Sequence, residues 1–238
     1  MAEKIAGILG GMGPEATVDL MNRVIKATPA KDDEDHIRMV VDNNPKVPSR
    51  IKALIQGDGT SPGPCLREMA RKLESWGVDF LAMPCNTAHF YHQEIQEAVS
   101  IPVLDMISLA VEAVSEQNPR TDTVGLIAST AVLNLNLYKN AFAGKSINLI
   151  TPHPRLQDKL MSAIQRIKTG CYGEETYQAM QEAADNLAQS KAQVLLIACT
   201  EISIISQRIQ AEMPVLDAAQ ILAEAIIREA GQQRAEIQ

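Results

Sequence analysis

Two cysteines stand where chemistry can be done. Cys85 lies in Met83-Pro84-Cys85-Asn86-Thr87-Ala88-His89, and Cys199 in Ala198-Cys199-Thr200-Glu201-Ile202. Each follows a short apolar run, read as a strand, and precedes hydroxyl or amide residues and a predicted helix. At the carboxyl end of a strand in an α/β sheet, side chains and helix N-termini converge on a ligand. A free thiol titrates near ~8.5, and a neighbouring helix N-terminus lowers that by a unit or more. A base poised near working pH suits abstraction of an α-proton. Two thiols so presented fit a reaction needing one proton-transfer group on each side of a substrate. Cys65 and Cys171 carry no such signal and read as small buried hydrophobes.

The elements that must position these thiols alternate strand and helix. Residues 4–9 read as a buried strand, Gly10-Gly11-Met12-Gly13 as a loop, and Pro14 as the first turn of a helix over 14–27. That helix has Val18, Met21 and Ile25 along one side. The charge run 31–36 reads as a solvated loop, and 37–42 as a second strand. A loop rich in Asn, Pro and Gly fills 43–64; loops that long are uncommon in compact domains and often functional. Then come a helix over 65–77, a strand over 80–83, a helix over 87–99 and a short strand over 101–104. The second half places strands at 123–127, 147–150, 194–198 and 215–216. Its helices fall at 133–140, 155–168, 174–188, 202–209 and 218–230. Such alternation predicts parallel sheets.

The pattern also repeats. Cys85 and Cys199 lie 114 residues apart; Pro102-Val103-Leu104-Asp105 recurs as Pro214-Val215-Leu216-Asp217, 112 residues on; Gly7-Ile8-Leu9 is echoed by Gly125-Leu126-Ile127, 118 residues on. The fold class that follows is α/β, with two pseudo-symmetric parallel-sheet domains facing each other across a cleft, each offering one cysteine. Their boundary is expected near Ser108–Ala110: residues 1–108 with 219–238 form one domain, 109–218 the other.

Bulk properties narrow the partners. The net charge of −7 argues against nucleic acid or an anionic membrane surface. No apolar run approaches the roughly 20 residues of a membrane helix, and the first apolar stretch is too short for a signal peptide. Four cysteines without a secretion signal point to free thiols in a reducing cytoplasm. A small molecule is the expected ligand. Arg50 and Lys168 are surface charges by default. A cleft for an amino acid must nonetheless hold a carboxylate, which Arg does bidentately, and the N–H groups of residues 10–13 suit an anion. Two rival motifs exist. Gly11 to Ala16 fits G-x-G-x-x-[GA] after a strand, with Asp42 ending the next strand, a dinucleotide fingerprint that leaves both cysteines without a role. Cys85, His89 and His92 stand at C-x3-H-x2-H, but no fourth metal ligand is near in sequence. No metal is expected, and His89 reads as packing or hydrogen-bonding near the helix start.

Three segments in order, Gly10-Gly11-Met12-Gly13-Pro14-Glu15-Ala16-Thr17, Pro84-Cys85-Asn86-Thr87-Ala88-His89 and Cys199-Thr200-Glu201-Ile202, give the chain its resemblance. It resembles the aspartate/glutamate racemase family, most of all the aspartate racemase branch, over nearly its whole length. The resemblance implies a cofactor-independent amino-acid racemase, a homodimer with its site between two α/β domains. It implies Cys85 and Cys199 as the catalytic acid/bases, with Asn86, Thr87 and Thr200 beside them on the substrate. It places Arg50 and Lys168 on the substrate's side-chain carboxylate and Met12 in the pocket lining. Where the family often shows Ala-Thr-x-Gly-Thr, this chain has Ala128-Ser129-Thr130-Ala131-Val132. Ser129 and Thr130 supply hydroxyls to the site, and Val132 replaces the second threonine. Aspartate is the implied substrate. The alternatives are a glutamate or broader-specificity racemase, a maleate isomerase-like enzyme working by covalent addition, and a non-catalytic acidic-metabolite binding protein.

Overall fold

The computed structural model describes residues 4–117 and 121–231. Short apolar runs become parallel strands, as expected. In the first sheet, β1 (Ala6–Gly10) lies between β2 (Met39–Asn43) and β3 (Phe80–Ala82). In the second, β4 (Thr123–Ala128) lies between β5 (Asn148–Ile150) and β6 (Val194–Ala198), and β7 (Val215–Asp217) adds an edge beyond β6. All pairings are parallel. The segment 101–104 contributes only one parallel bridge, Leu81 to Val103, rather than a strand. That single rung sits where β7 sits in the second sheet, so both sheets follow one strand order.

The repeat reaches into the packing. Gly7 pairs in register with Leu81, and Gly125 with Leu195. A Cβ on Gly7 would come within 2.6 Å of Leu81 Cδ2 and 2.8 Å of Val78 Cγ2. On Gly125 it would come within 2.9 Å of Leu195 Cδ2. Each central strand therefore needs a glycine where a leucine of its neighbour leans across it.

The helices cover these sheets: α1 (Pro14–Ala27), α2 (Gly63–Ser75), α3 (His92–Gln96), α4 (Met106–Gln117), α5 (Thr130–Asn134), α6 (Leu137–Ala141), α7 (Pro154–Lys168), α8 (Glu174–Gln189), α9 (Thr200–Ile205) and α10 (Ala218–Glu229). The chain divides into two compact units. One takes the residues up to Met106 and again from Ala219; the other is Ile107–Ala218.

Several expectations are corrected. Helix α1 buries Ala16, Thr17, Leu20 and Val24, not the side carrying Val18, Met21 and Ile25; Val18 is 49% and Ile25 44% exposed. Thr17 packs at the end of β1, where a Cβ on Gly10 would come within 2.5 Å of Thr17 Cγ2. The sequence reading assigned no element to 106–117, yet helix α4 forms there, with Met106, Ile107, Ala110, Val111 and Val114 as a buried stripe. The long loop is not structureless. A wide π turn spans Lys52–Gln56 and closes at Gly57, whose φ of 73° suits glycine. The helix expected over 133–140 is two short ones, broken where Asn136 adopts the left-handed conformation (φ 53°) that asparagine tolerates better than most residues. Cys171 is exposed and Cys65 half-buried, so neither is a core residue. Cys171 falls in the turn between two amphipathic helices, and Cys65 in the first turn of α2.

Candidate active site

In the first unit, Cys85 leaves the end of β3 and is buried. The helix expected over 87–99 does not start as one. Residues Thr87–Tyr91 form a tight 3₁₀ turn, and only His92–Gln96 is α-helical. A hydrogen-bond competition accounts for this. In an α-helix the His89 N–H would bond the Cys85 carbonyl. Here His89 Nδ1 lies 2.9 Å from that oxygen, and the His89 N–H bonds Asn86 O instead, at 3.1 Å. Side chains that capture backbone partners divert helices in this way. The other ring nitrogen, Nε2, accepts the Met106 N–H at 3.1 Å, which fixes the neutral Nδ1–H tautomer. Burial holds the His89 pKa below its ordinary value. His89 thus hydrogen-bonds near the helix start, as its sequence position indicated, and ties the Cys85 backbone to the start of α4. With both ring nitrogens engaged it has no lone pair for a metal, and His92 Nε2 lies 2.9 Å from Val103 O.

The glycine loop before α1 is also closed by the protein. Gly11 has φ of 92°, and its Cα packs against the Asn44 backbone. Its N–H donates to Thr17 Oγ1 at 2.9 Å, so that donor is not presented to a phosphate as a dinucleotide fingerprint requires. Met12 is buried and shares one apolar cluster with Cys85, Leu9 and Met83. Arg50 joins it: Nη2 donates to Met12 O at 3.1 Å and Nη1 to Pro48 O at 3.2 Å. Cys85, Asn86, Thr87, Met12 and Arg50 therefore collect at the carboxyl edge of the first sheet.

The second unit gathers Cys199, Thr200, Ser129, Thr130 and Lys168. Ala128 and Ala198 are register partners at the ends of β4 and β6, so Ser129 and Cys199 leave adjacent strands at the same level. Ser129 caps α5, its hydroxyl oxygen accepting the Val132 N–H at 3.4 Å. Cys199 occupies the N-cap of α9. Its Sγ donates to Glu201 Oε2 at 3.3 Å, and Lys168 Nζ stands 3.4 Å from Glu201 Oε1. That second separation, beyond good hydrogen-bond geometry, is a Coulomb contact. Glu201 is buried.

This corrects the expectation that a helix start lowers the thiol, as far as Cys199 is concerned. Cys199 is pushed well above its ordinary value, first by burial and then by the charge on Glu201. The Ile202 N–H and Lys168 pull the other way and do not prevail. A helix of six residues offers little dipole, whereas removing a thiolate from water penalises it directly. Glu201 is the residue that motif reading missed. It stood in the quoted Cys199-Thr200-Glu201 segment, but nothing in spacing alone says that its carboxylate folds back onto the sulfur two residues earlier.

Comparison with known proteins shows the family. The family model described as Asp/Glu/Hydantoin racemase matches residues 9–226. The broad-specificity amino-acid racemase RacX of Bacillus subtilis is 28% identical over 225 residues, covering 93% of this chain and 96% of RacX. The aspartate racemase of Picrophilus torridus superposes with a TM-score of 0.83 at 31% identity, covering 97% of this chain and 96% of that one. An aspartate racemase homologue from Pyrococcus horikoshii, 18% identical, shares the fold with a TM-score of 0.74 over 97% of this chain and all of its own. A match running from β1 into α10, with both cysteine segments inside it, means that the chain belongs to the Asp/Glu/hydantoin racemase family and is a racemase, an isomerase of amino-acid type.

Proposed function

We propose that the protein is a cofactor-independent amino-acid racemase acting on aspartate, with Cys85 and Cys199 as its two acid/bases. In one direction the Cys85 thiolate takes the α-proton. The C–H electron pair passes to the α-carbon and its carboxylate, and the Cys199 thiol delivers its proton to the other face and becomes a thiolate. The reverse direction exchanges the roles. One base alone would return the proton to the face it came from, so the chemistry requires a thiol on each side of one α-carbon. Asn86, Thr87, Ser129, Thr130 and Thr200 hold the substrate and the charge that develops on its carboxylate. Arg50 is anchored by two of its five N–H groups and meets the side-chain carboxylate with others, assisted by Lys168. Met12 fills the apolar floor. We also assign a homodimer and a cytoplasmic location; sedimentation and fractionation test these.

The observation that carries this is the chain of contacts from Cys199 to Glu201 to Lys168. It holds one sulfur protonated, as the acid of a two-base pair must be. Incubating L- and D-amino acids in heavy water without cofactor, and following loss of the α-hydrogen by NMR, should show exchange and racemisation of aspartate. Cys85→Ser and Cys199→Ser should each lower racemisation by ~10²–10⁴-fold, the scale of a lost proton-transfer group. Full activity in either variant sinks the assignment. The likeness to RacX and the Val132 substitution favour a second reading, broad specificity. Comparable rates on neutral and acidic amino acids would select it.

A further inference from the structure

Beyond the residues already assigned, a buried glutamine reaches the second unit's site from the first turn of α7. Gln157 is 8% exposed. Its Nε2 donates to Ala128 O at 2.9 Å and to Thr130 Oγ1 at 3.3 Å. Ala128 is the last residue of β4 and the register partner of Ala198, immediately before Cys199. We propose that Gln157 is a positioning residue of the racemase, which holds the Thr130 hydroxyl as an acceptor and so leaves the Thr130 proton for the substrate. The inference rests on the racemase site described above.

Three facts support it. The orientation of the amide is fixed by chemistry: a carbonyl oxygen only accepts, so the NH₂ end must face Ala128 O. With Nε2 also donating to Thr130 Oγ1, that hydroxyl cannot donate back, and its one proton must point elsewhere. Thr130 is itself only half-buried, so a ligand can meet that proton. The far end of the amide tells the same way. Gln157 Oε1 is buried and finds no donor among the described residues. A glutamine kept only to join α7 to β4 should satisfy both ends, because leaving a buried carbonyl unpaired is costly. Here only the donor end is engaged, and it faces the strand end beside Cys199.

The test pairs kinetics with folding. Gln157→Met keeps the side chain's length and removes its donors. It should lower kcat/KM by ~10-fold, the cost of a misaligned rather than absent donor. Thr130→Val should lower it at least as much, and the double variant should be no worse than Thr130→Val alone. Gln157→Glu supplies a readout that a structural tie would not move. Ionised, the carboxylate draws the Thr130 proton to itself; protonated, its single O–H can be given to Thr130 Oγ1, which restores one of the amide's two donations. Its activity relative to the native protein should therefore rise as pH falls through the carboxyl's pKa. Additive losses in the cycle, or a flat pH ratio with only a lowered melting temperature, would overturn the proposal. Should Gln157→Glu fail to fold, the Met cycle decides. A native protein that racemises no amino acid would instead remove the functional reading on which this stands.

Discussion

At the scale of single residues, Glu201 sets the chemistry of Cys199. Its carboxylate accepts from Cys199 and, with burial, keeps that thiol protonated. Glu201→Gln removes the negative charge while keeping the shape. The Cys199 pKa should then fall, and at a fixed pH near 8 a larger fraction of Cys199 should be thiolate. Iodoacetamide labelling, resolved by peptide mass spectrometry, should be faster at Cys199 in the variant than in the native protein. In the native protein the same labelling should climb steeply as pH rises towards the elevated value. A Cys199 that reacts equally fast in both proteins at every pH would remove Glu201 from this role. The sequence put both cysteines at strand ends because their apolar runs are short and bounded. It could not disclose Glu201 or Gln157, since each acts through where its side chain folds. The Gln157 contacts span 27 and 29 residues, with no periodicity to betray them.

At the scale of elements, β1 and β4 each carry a glycine under a leucine of the next strand. Gly7→Ala and Gly125→Ala should each destabilise by about 1–3 kcal/mol, the usual cost of overpacking a close-packed core, and the first more than the second because its contacts are tighter. Chemical denaturation would show this as a shifted midpoint with unchanged slope; an unshifted midpoint would mean that the leucines can move aside. The strands and the long helices α1, α7, α8 and α10 were legible, because bounded apolar runs and 3.6-residue spacing over 12 or more residues are strong signals. The segments around the site were not. After Cys85 a histidine side chain takes the carbonyl that an α-helix would use, and after Thr130 a left-handed Asn136 splits one helix in two. Both are local conflicts between side chain and backbone that a hydrophobic pattern does not record.

At the scale of the whole molecule, the unit that holds Cys199 is one continuous stretch, Ile107–Ala218, while the unit that holds Cys85 needs residues from both ends. Helix α10 buries Leu222, Ile226 and Ile227. At about 1.5–3 kcal/mol per side chain, those three are worth roughly 5–9 kcal/mol, as much as many domains have in total. A fragment of residues 107–218 should therefore melt cooperatively by circular dichroism, whereas residues 1–106 alone should not. A sharp transition in the shorter N-terminal piece would contradict this. The order of manufacture follows from the same connectivity. On the ribosome, the middle portion can mature as soon as it emerges, but the first hundred residues must wait, with apolar surface uncovered, until α10 has been made. The half contributing Cys85 is begun before the other and completed after it, which leaves it the more in need of a chaperone's shelter.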